Sequence, residues 1–258
     1  MLARHTKMSV SAVIAISLCA IWLTSMGGAV VGATPDDDDK VIAASLAAML
    51  RSARTVVSRN QERINNPDIG DKGLTGKSVL EQAVKIYQET TNSDPMKADT
   101  ATRHGRLLRV QMDAIVDVVD SNQKTINQPG VGFKGFIPAT FTRLVNETFG
   151  KGAANDAEIK ATAPLDLVRN RKARPDEWET EVIRDKLSAA NWTKGQLFAT
   201  VANSKGRSAF RVAVPEYYAA SCLSCHGDPK GQIDITGYPK EGAKEGDLGS
   251  VISITLYR

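Results

Sequence analysis

Apolar residues recur at helical spacing along the first half of the chain. Val41, Ile42, Leu46, Leu50, Ala53 and Val57 fall three and four residues apart, as do Leu107, Leu108, Met112, Ile115, Val118 and Val119. Each set predicts an amphipathic helix. Each stripe runs into a Gly/Pro-containing loop, and the two loops match at an offset of 62 residues. Asn60-Gln61, Ile64-Asn65, Pro67, Gly70 and Lys72-Gly73 return as Asn122-Gln123, Ile126-Asn127, Pro129, Gly132 and Lys134-Gly135, with Val79 matched by Phe141. Each copy therefore reads as helix, loop, helix. With two copies and not the three or more that a solenoid needs, this is a doubled helical pair. Pro138 suits the first position of a helix over Pro138–Phe149, which Gly150 can end. Asn92–Thr102 reads as a polar linker between the copies.

The pattern changes after Gly150. Pro175–Ala190 reads as a helix with Asp176, Glu177 and Glu179 in its first turn, where they complement the helix dipole. Gln196–Ala202 and Ala209–Val214 read as paired strands around a turn at Asn203-Ser204-Lys205-Gly206. Phe198, Val201, Phe210, Val212 and Val214 are the candidates for their buried face. Gln232–Glu245 is Gly-rich and irregular, and Ser250–Tyr257 alternates closely enough to form a last strand. Long helices followed by an antiparallel sheet predict an α+β fold.

The first 33 residues differ from all of this. Arg4 and Lys7 precede an apolar stretch from Val10 to Leu23, and Val31-Gly32-Ala33 offers small residues before a cut. This is the layout of an export signal. No charge falls between Lys7 and Asp36, so an uncleaved segment would be long enough to anchor the chain in a membrane. Either way the folded part is expected outside the cytoplasm, in the periplasm or at the outer face of the inner membrane. Cys19 lies inside this segment and reads as a small apolar residue. The acidic run Asp36–Lys40 reads as a solvated leader to the first helix. Without residues 1–33, which carry two basic residues and no acidic ones, the formal charge falls from +4 to +2. That is too little to argue for a nucleic acid, and an aromatic content of 5 % argues against a base-stacking platform.

The chemistry is concentrated at residues 222–226, Cys-Leu-Ser-Cys-His, which hold two of the three Cys and one of the three His in the chain. A Cys-x-x-Cys-His pentad has the spacing for covalent haem attachment. The thiols of Cys222 and Cys225 add to the haem vinyl groups, and His226 supplies an axial iron ligand. A thioredoxin-like redox pair and half of a zinc site share this spacing. A zinc site would need further ligands from a second Cys or His cluster, which the chain lacks. A redox pair should open a helix after a buried strand, whereas this one follows Pro215-Glu216-Tyr217-Tyr218. Covalent haem also requires export, which the N-terminal segment provides.

Three stretches carry a resemblance to a known family. They are Lys134-Gly135-Phe136-Ile137-Pro138-Ala139-Thr140-Phe141, then Arg169-Asn170 through Pro175-Asp176-Glu177-Trp178-Glu179, and Ser221 through Pro229 around the pentad. Gly246-Asp247-Leu248-Gly249-Ser250 before the last strand fits as well. In this order they resemble the single c-type haem proteins with a PAS-like fold, the cyanobacterial Tll-type haem domain that also forms the extracytoplasmic part of bacterial sensor kinases. The resemblance covers about Leu107 to Arg258 and implies a PAS-like antiparallel sheet preceded by long N-terminal helices, with one haem c per chain. It divides the chain into the signal or anchor (1–33), a helical extension formed by the first copy (34–102) and the haem domain (103–258).

Two departures from the family follow. Arg171 and Ala173 stand where Pro and a second Asn tend to occur. The Cys that some relatives place as sixth iron ligand would fall near Val118-Val119, where no Cys is present. Met112, on the apolar face of the same helix, is the candidate in its place, and its thioether would raise the reduction potential; a core Met or a vacant sixth position are the alternatives. His104 reads as a solvated residue at the start of that helix. Haem propionates need cationic partners when buried. Lys160, Arg169, Arg171, Lys172 and Arg174 form a basic cluster, Arg207 and Arg211 flank the hairpin, and Arg169 is the leading candidate because it sits on a family position. Tyr217 or Tyr218 is expected against the porphyrin, with Tyr217 as the cofactor contact. No catalytic dyad, triad or phosphate-binding Gly-rich loop is visible. The chain therefore reads as a non-enzymatic mono-haem cytochrome in electron transfer or redox sensing, passing its signal to a separate redox or signalling protein. The alternative is a sensor that captures a diatomic gas at an open sixth position.

Overall fold

The computed structural model describes residues 35–258, so the expected export segment, with His5 and Cys19, lies outside the described residues. Helix α1 (Pro35–Arg59) and the short α2 (Gln61–Asn65) lead through a loop to α3 (Gly76–Thr91). The second copy repeats this as α4 (Arg103–Ser121), α5 (Gln123–Ile126) and α6 (Pro138–Gly152). Apart from Val41, which is 57 % exposed, the stripes named above are the buried faces: Leu46, Leu50, Ala53, Leu108, Met112 and Ile115 are each at most 1 % exposed. By length and composition α1 would pass as a membrane span, but most of its apolar residues, from Ile42 to Val57, build this core.

The repeat proves to be an exchange between copies. Asn65 of the first copy accepts from the Lys134 N–H (3.1 Å), and Asn127 of the second accepts from the Lys72 N–H (2.9 Å). Gln61 Nε2 donates to the Phe136 carbonyl (3.1 Å), and Gln123 Nε2 to the Leu74 carbonyl (2.7 Å). Gly73 and Gly135 close the two loops at φ +61° and +69°, which disfavours a side chain at either. The two lysine ammonium groups turn inward onto backbone carbonyls, Lys72 onto Asn66 (2.6 Å) and Ile69, Lys134 onto Val131 (2.6 Å) and Asn66 (3.4 Å). Burial and then the neighbouring charge of Lys134 lower the Lys72 pKa. Because each Asn satisfies a peptide N–H of the other copy, Asn65→Ala and Asn127→Ala are expected to destabilise the protein equally, by about 1–3 kcal/mol each. Denaturant unfolding of the two variants measures this; a neutral effect at one site would show that the copies are not equivalent.

Four strands follow in the order β1-β4-β3-β2, all antiparallel: β1 (Ala157–Thr162), β2 (Phe198–Ser204), β3 (Arg207–Tyr217) and β4 (Leu248–Tyr257). Their period-two alternation separates two faces. Ile159, Phe210, Val212, Val214, Ile252, Ile254 and Leu256 join the helical core, whereas Ala213 and Val251 face a smaller cluster with Val182, Ile183 and Leu187. Phe198 pairs with Ala213 and so packs on this second face, not beside Phe210 as expected. Val201 also departs from expectation: on the edge strand β2, it is 46 % exposed. The helix expected over Pro175–Ala190 is α7 (Glu177–Val182), opened by an Asp176/Glu179 capping box and widened into a π turn over Ile183–Leu187. This widening brings Val182, Ile183 and Leu187 together onto the second cluster.

The first copy shares the core of the rest, and the described residues form one compact unit. Arg51 and Arg54 of α1 both bind Glu216 of β3, and Arg51 also donates to the Pro215 carbonyl at 3.1 Å. Arg103 joins Asp39 (3.0 Å), Asp156 (2.8 Å) and the Tyr257 carbonyl (2.8 Å). Asp39, expected in a solvated leader, is 5 % exposed and also binds Arg258. The boundary expected between residues 102 and 103 thus crosses a continuous core.

Candidate haem-attachment site

The pentad is set on the sheet by the end of β3. After Tyr217 the chain extends to Ala219, forms a 3-10 turn (Ala220–Cys222) and enters the one-turn helix α8 (Leu223–His226). One helical turn brings positions i, i+3 and i+4 to one side, so Cys222, Cys225 and His226 present their side chains together. Gly227 ends α8, and a Cβ there would lie 2.7 Å from the Leu223 carbonyl oxygen. Both thiols are free and partly accessible.

His226 is held from two sides. The Tyr218 ring stacks on its imidazole with centroids 4.9 Å apart and planes at 28°. Tyr218 is pinned in turn by hydrogen bonds between its N–H and the Asp247 carbonyl (2.9 Å) and between the Gly246 N–H and its own carbonyl (2.8 Å). A Cβ on Gly249 would meet the Tyr218 ring at 2.6 Å, which explains a glycine at the fourth position of Gly246-Asp247-Leu248-Gly249. Burial and then the Glu241 charge push the Tyr218 hydroxyl up to about 12. On its edge, His226 Nδ1 lies 2.9 Å from Glu241 Oε2.

Arg169 organises the far side of this contact. It donates to both Glu241 oxygens (2.8 and 3.0 Å), to Asp234 Oδ2 (2.7 Å) and to the Cys225 carbonyl (2.9 Å). The Asp234 carboxylate is fully enclosed and accepts in addition the Thr236 N–H (2.7 Å), the Thr236 hydroxyl (2.6 Å) and the Tyr238 N–H (3.2 Å). For Asp234 and Glu241 alike burial pushes the pKa upward. Hydrogen bonds outweigh it, from Thr236 and Arg169 for Asp234 and from Arg169 and His226 for Glu241, and hold both carboxyls below their ordinary range.

The structure therefore brings Arg169 to the pentad, but with protein carboxylates as its partners where propionates were expected. Lys160 and Arg211 are similarly committed to Glu179 (2.6 and 3.5 Å), and Lys172 to Glu147 (2.9 Å). Arg171 and Arg174 keep exposed side chains in the same loop. Tyr218, not Tyr217, packs on His226. Tyr217 lies beneath the Lys194 ammonium (5.2 Å), and its buried hydroxyl has no partner among the described residues, as has the Trp192 indole N–H. Met112 belongs to the helical core with Leu108 and Ile115, a cluster that contains none of the pentad residues. His104, expected in solvent, is half-buried and hydrogen-bonded through Nε2 to Ser45 Oγ (2.8 Å), which meets the Tyr87 hydroxyl (2.7 Å). Burial lowers its pKa.

These donors fit a covalently attached haem. Two free thiols stand on one turn, the imidazole has Nδ1 engaged, which leaves Nε2 for a metal, and Tyr217, five residues before Cys222, carries a buried hydroxyl without a partner among the described residues. Among the described residues no group of three or more His, Cys, Asp or Glu is arranged to hold a bare metal ion. When bound, haem would supply an iron that changes oxidation state, held through Cys222, Cys225 and His226.

The family comparison agrees with this geometry. The family model of the Tll0287-like proteins matches residues 36–256, and the chain belongs to the Tll0287-like family. This is the Tll-type haem-domain family that the motif order resembled. The match starts at the first turn of α1 and includes the first helical copy, which corrects the expected start near Leu107. Neither a curated protein nor a solved structure matches the chain.

Proposed function

We propose that this protein is an extracytoplasmic mono-haem c-type cytochrome with a PAS-like domain, and that it acts through the oxidation state of its iron in electron transfer or redox sensing. The observation that carries this reading is the pairing of two free thiols with an imidazole whose Nδ1 is already hydrogen-bonded to Glu241. In this reading Cys222 and Cys225 would hold the porphyrin through their thiols and His226 would ligate the iron through Nε2, while Arg171 and Arg174, which keep exposed side chains, would be available to the propionates. The chain carries no catalytic turnover in this reading; its partner is a redox or signalling protein, with no role for nucleic acid. Residues 1–33 would export it to the periplasm or anchor it at the membrane.

A second reading, capture of a diatomic gas, is favoured by where Met112, the sixth-ligand candidate, and His104, the other described imidazole, lie. Met112 sits in the helical core and His104 on the Ser45–Tyr87 pair. The test is the optical spectrum of the oxidised and reduced protein, with and without carbon monoxide, for the wild type and Met112→Ala. With Met112 as core packing, the substitution is expected to cost about 2–5 kcal/mol and leave the spectrum unchanged. A change from low-spin to high-spin in that variant would make Met112 the ligand and the protein a closed electron carrier. A colourless wild type would overturn the haem reading itself.

A further inference from the structure

We propose that Glu241 is a positioning residue that holds His226 with its proton on Nδ1 and makes it a strongly electron-donating iron ligand. This rests on the haem reading above. His226 Nδ1 lies 2.9 Å from Glu241 Oε2, whereas the next polar atom, the Tyr218 hydroxyl, is 3.4 Å away. An ionised carboxylate only accepts, so the proton of a neutral ring belongs on Nδ1, which leaves the Nε2 lone pair for the metal. A carboxylate partner of this kind orients a ligating imidazole and raises its basicity.

The surrounding charges strengthen the effect. Among the described residues Arg169 is the only cation bonded to the Asp234 and Glu241 carboxylates, since a neutral His226 brings no charge to its contact with Glu241. One guanidinium against two carboxylates leaves a net negative charge beside the ring. The Asp234 side chain is fully enclosed, and those of Glu241 and Arg169 are 16 % and 19 % exposed, so water screens this charge poorly. An anion hydrogen-bonded behind the proximal ligand stabilises ferric over ferrous iron. The Cys225 carbonyl, held by Arg169 at 2.9 Å, links the same cluster to the thioether turn. Packing alone would not require the carboxylate to face the imidazole edge.

Glu241→Gln retains the shape and an accepting oxygen but removes the charge. In the full-length holoprotein it is expected to raise the reduced-to-oxidised ratio at a fixed potential at least tenfold, about 59 mV for a one-electron couple. It should also lower the iron–histidine stretching frequency of the ferrous protein in resonance Raman spectra. Glu241→Asp, which keeps the charge on a shorter arm, should fall between Gln and wild type. A second measurement is independent of haem: nitrogen-15 NMR of the haem-free protein is expected to show His226 protonated on Nδ1 in the wild type and a tautomer mixture in Glu241→Gln. An unchanged potential and stretching frequency in Glu241→Gln would overturn the proposal. A colourless wild type that still shows the Nδ1–H tautomer would instead defeat the haem reading while the Glu241–His226 contact stands.

Discussion

A chain that lacks residues 35–102 is expected not to fold, although it keeps the whole sheet and the pentad. The deletion removes Ile42, Leu46, Met49, Leu50, Val56, Val57, Ile64, Leu74, Val79 and Tyr87, each at most 5 % exposed. At about 1.5–3 kcal/mol for each large apolar side chain buried, the loss exceeds the 5–15 kcal/mol that typically separates folded from unfolded protein. Specific ties go with them. Glu216, 7 % exposed, would lose both Arg51 and Arg54, and a buried carboxylate without its cations is costly. Lys134 would lose the Asn65 side chain from its N–H, and Arg103 would lose Asp39. Circular dichroism and thermal unfolding of the 103–258 fragment measure the outcome. A cooperative transition with haem attached would mean that the first copy is a dispensable extension, as the sequence resemblance by itself implied.

The expected boundary at residue 102 failed for a physical reason. Motifs that carry cofactor chemistry lie in the second half, whereas the partners of α1 are apolar side chains and arginines that carry no motif. The duplication itself was legible because its determinants are polar side chains with one geometric task each. Asn65 and Asn127, Gln61 and Gln123, and Gly73 and Gly135 recur at a fixed offset and make equivalent bonds. What the offset could not reveal is that each Asn serves the other copy. Strands β2 to β4 showed in their alternation and in the turn at Asn203–Gly206. Strand β1 did not, since Ala-Glu-Ile-Lys-Ala-Thr holds one strongly apolar residue, Ile159, and exists by pairing with β4, far away in sequence.

The same distinction applies to the site. Cys222, Cys225 and His226 are readable because covalent attachment dictates their spacing. Glu241 and Asp234 lie in a Gly-rich stretch with no period, whose shape comes from tertiary bonds such as Ala243 N–H to the His226 carbonyl (2.8 Å) and Lys240 N–H to the Gln232 carbonyl (2.8 Å). A single signal pointed to them: an arginine on a family position, Arg169, implied anions nearby. Propionates were the natural choice, and the protein's own carboxylates take that place. Between Tyr217 and Tyr218 the sequence offered no basis for choice, because which ring reaches His226 depends on the hydrogen bonds of Tyr218 to residues 246–247 and on the space left by Gly249.

Replacement of both Cys222 and Cys225 by Ala is expected to abolish covalent haem while leaving the protein folded. The two changes fall on one partly accessible helical turn, outside both apolar clusters, so little packing is lost. His226 would keep its stacking on Tyr218 and its contact with Glu241, because neither involves a thiol. Matured in a host with periplasmic haem-attachment machinery, the wild type should remain red through acid–acetone extraction and the double variant should lose all its colour. Each single variant should keep one thioether and extract as coloured protein in reduced yield. Thermal unfolding should separate the double variant little from haem-free wild type, which distinguishes lost chemistry from lost structure. Retention of colour by the double variant would show that attachment does not use these thiols, and stoichiometric zinc in a colourless wild type would make the pair part of a metal site instead.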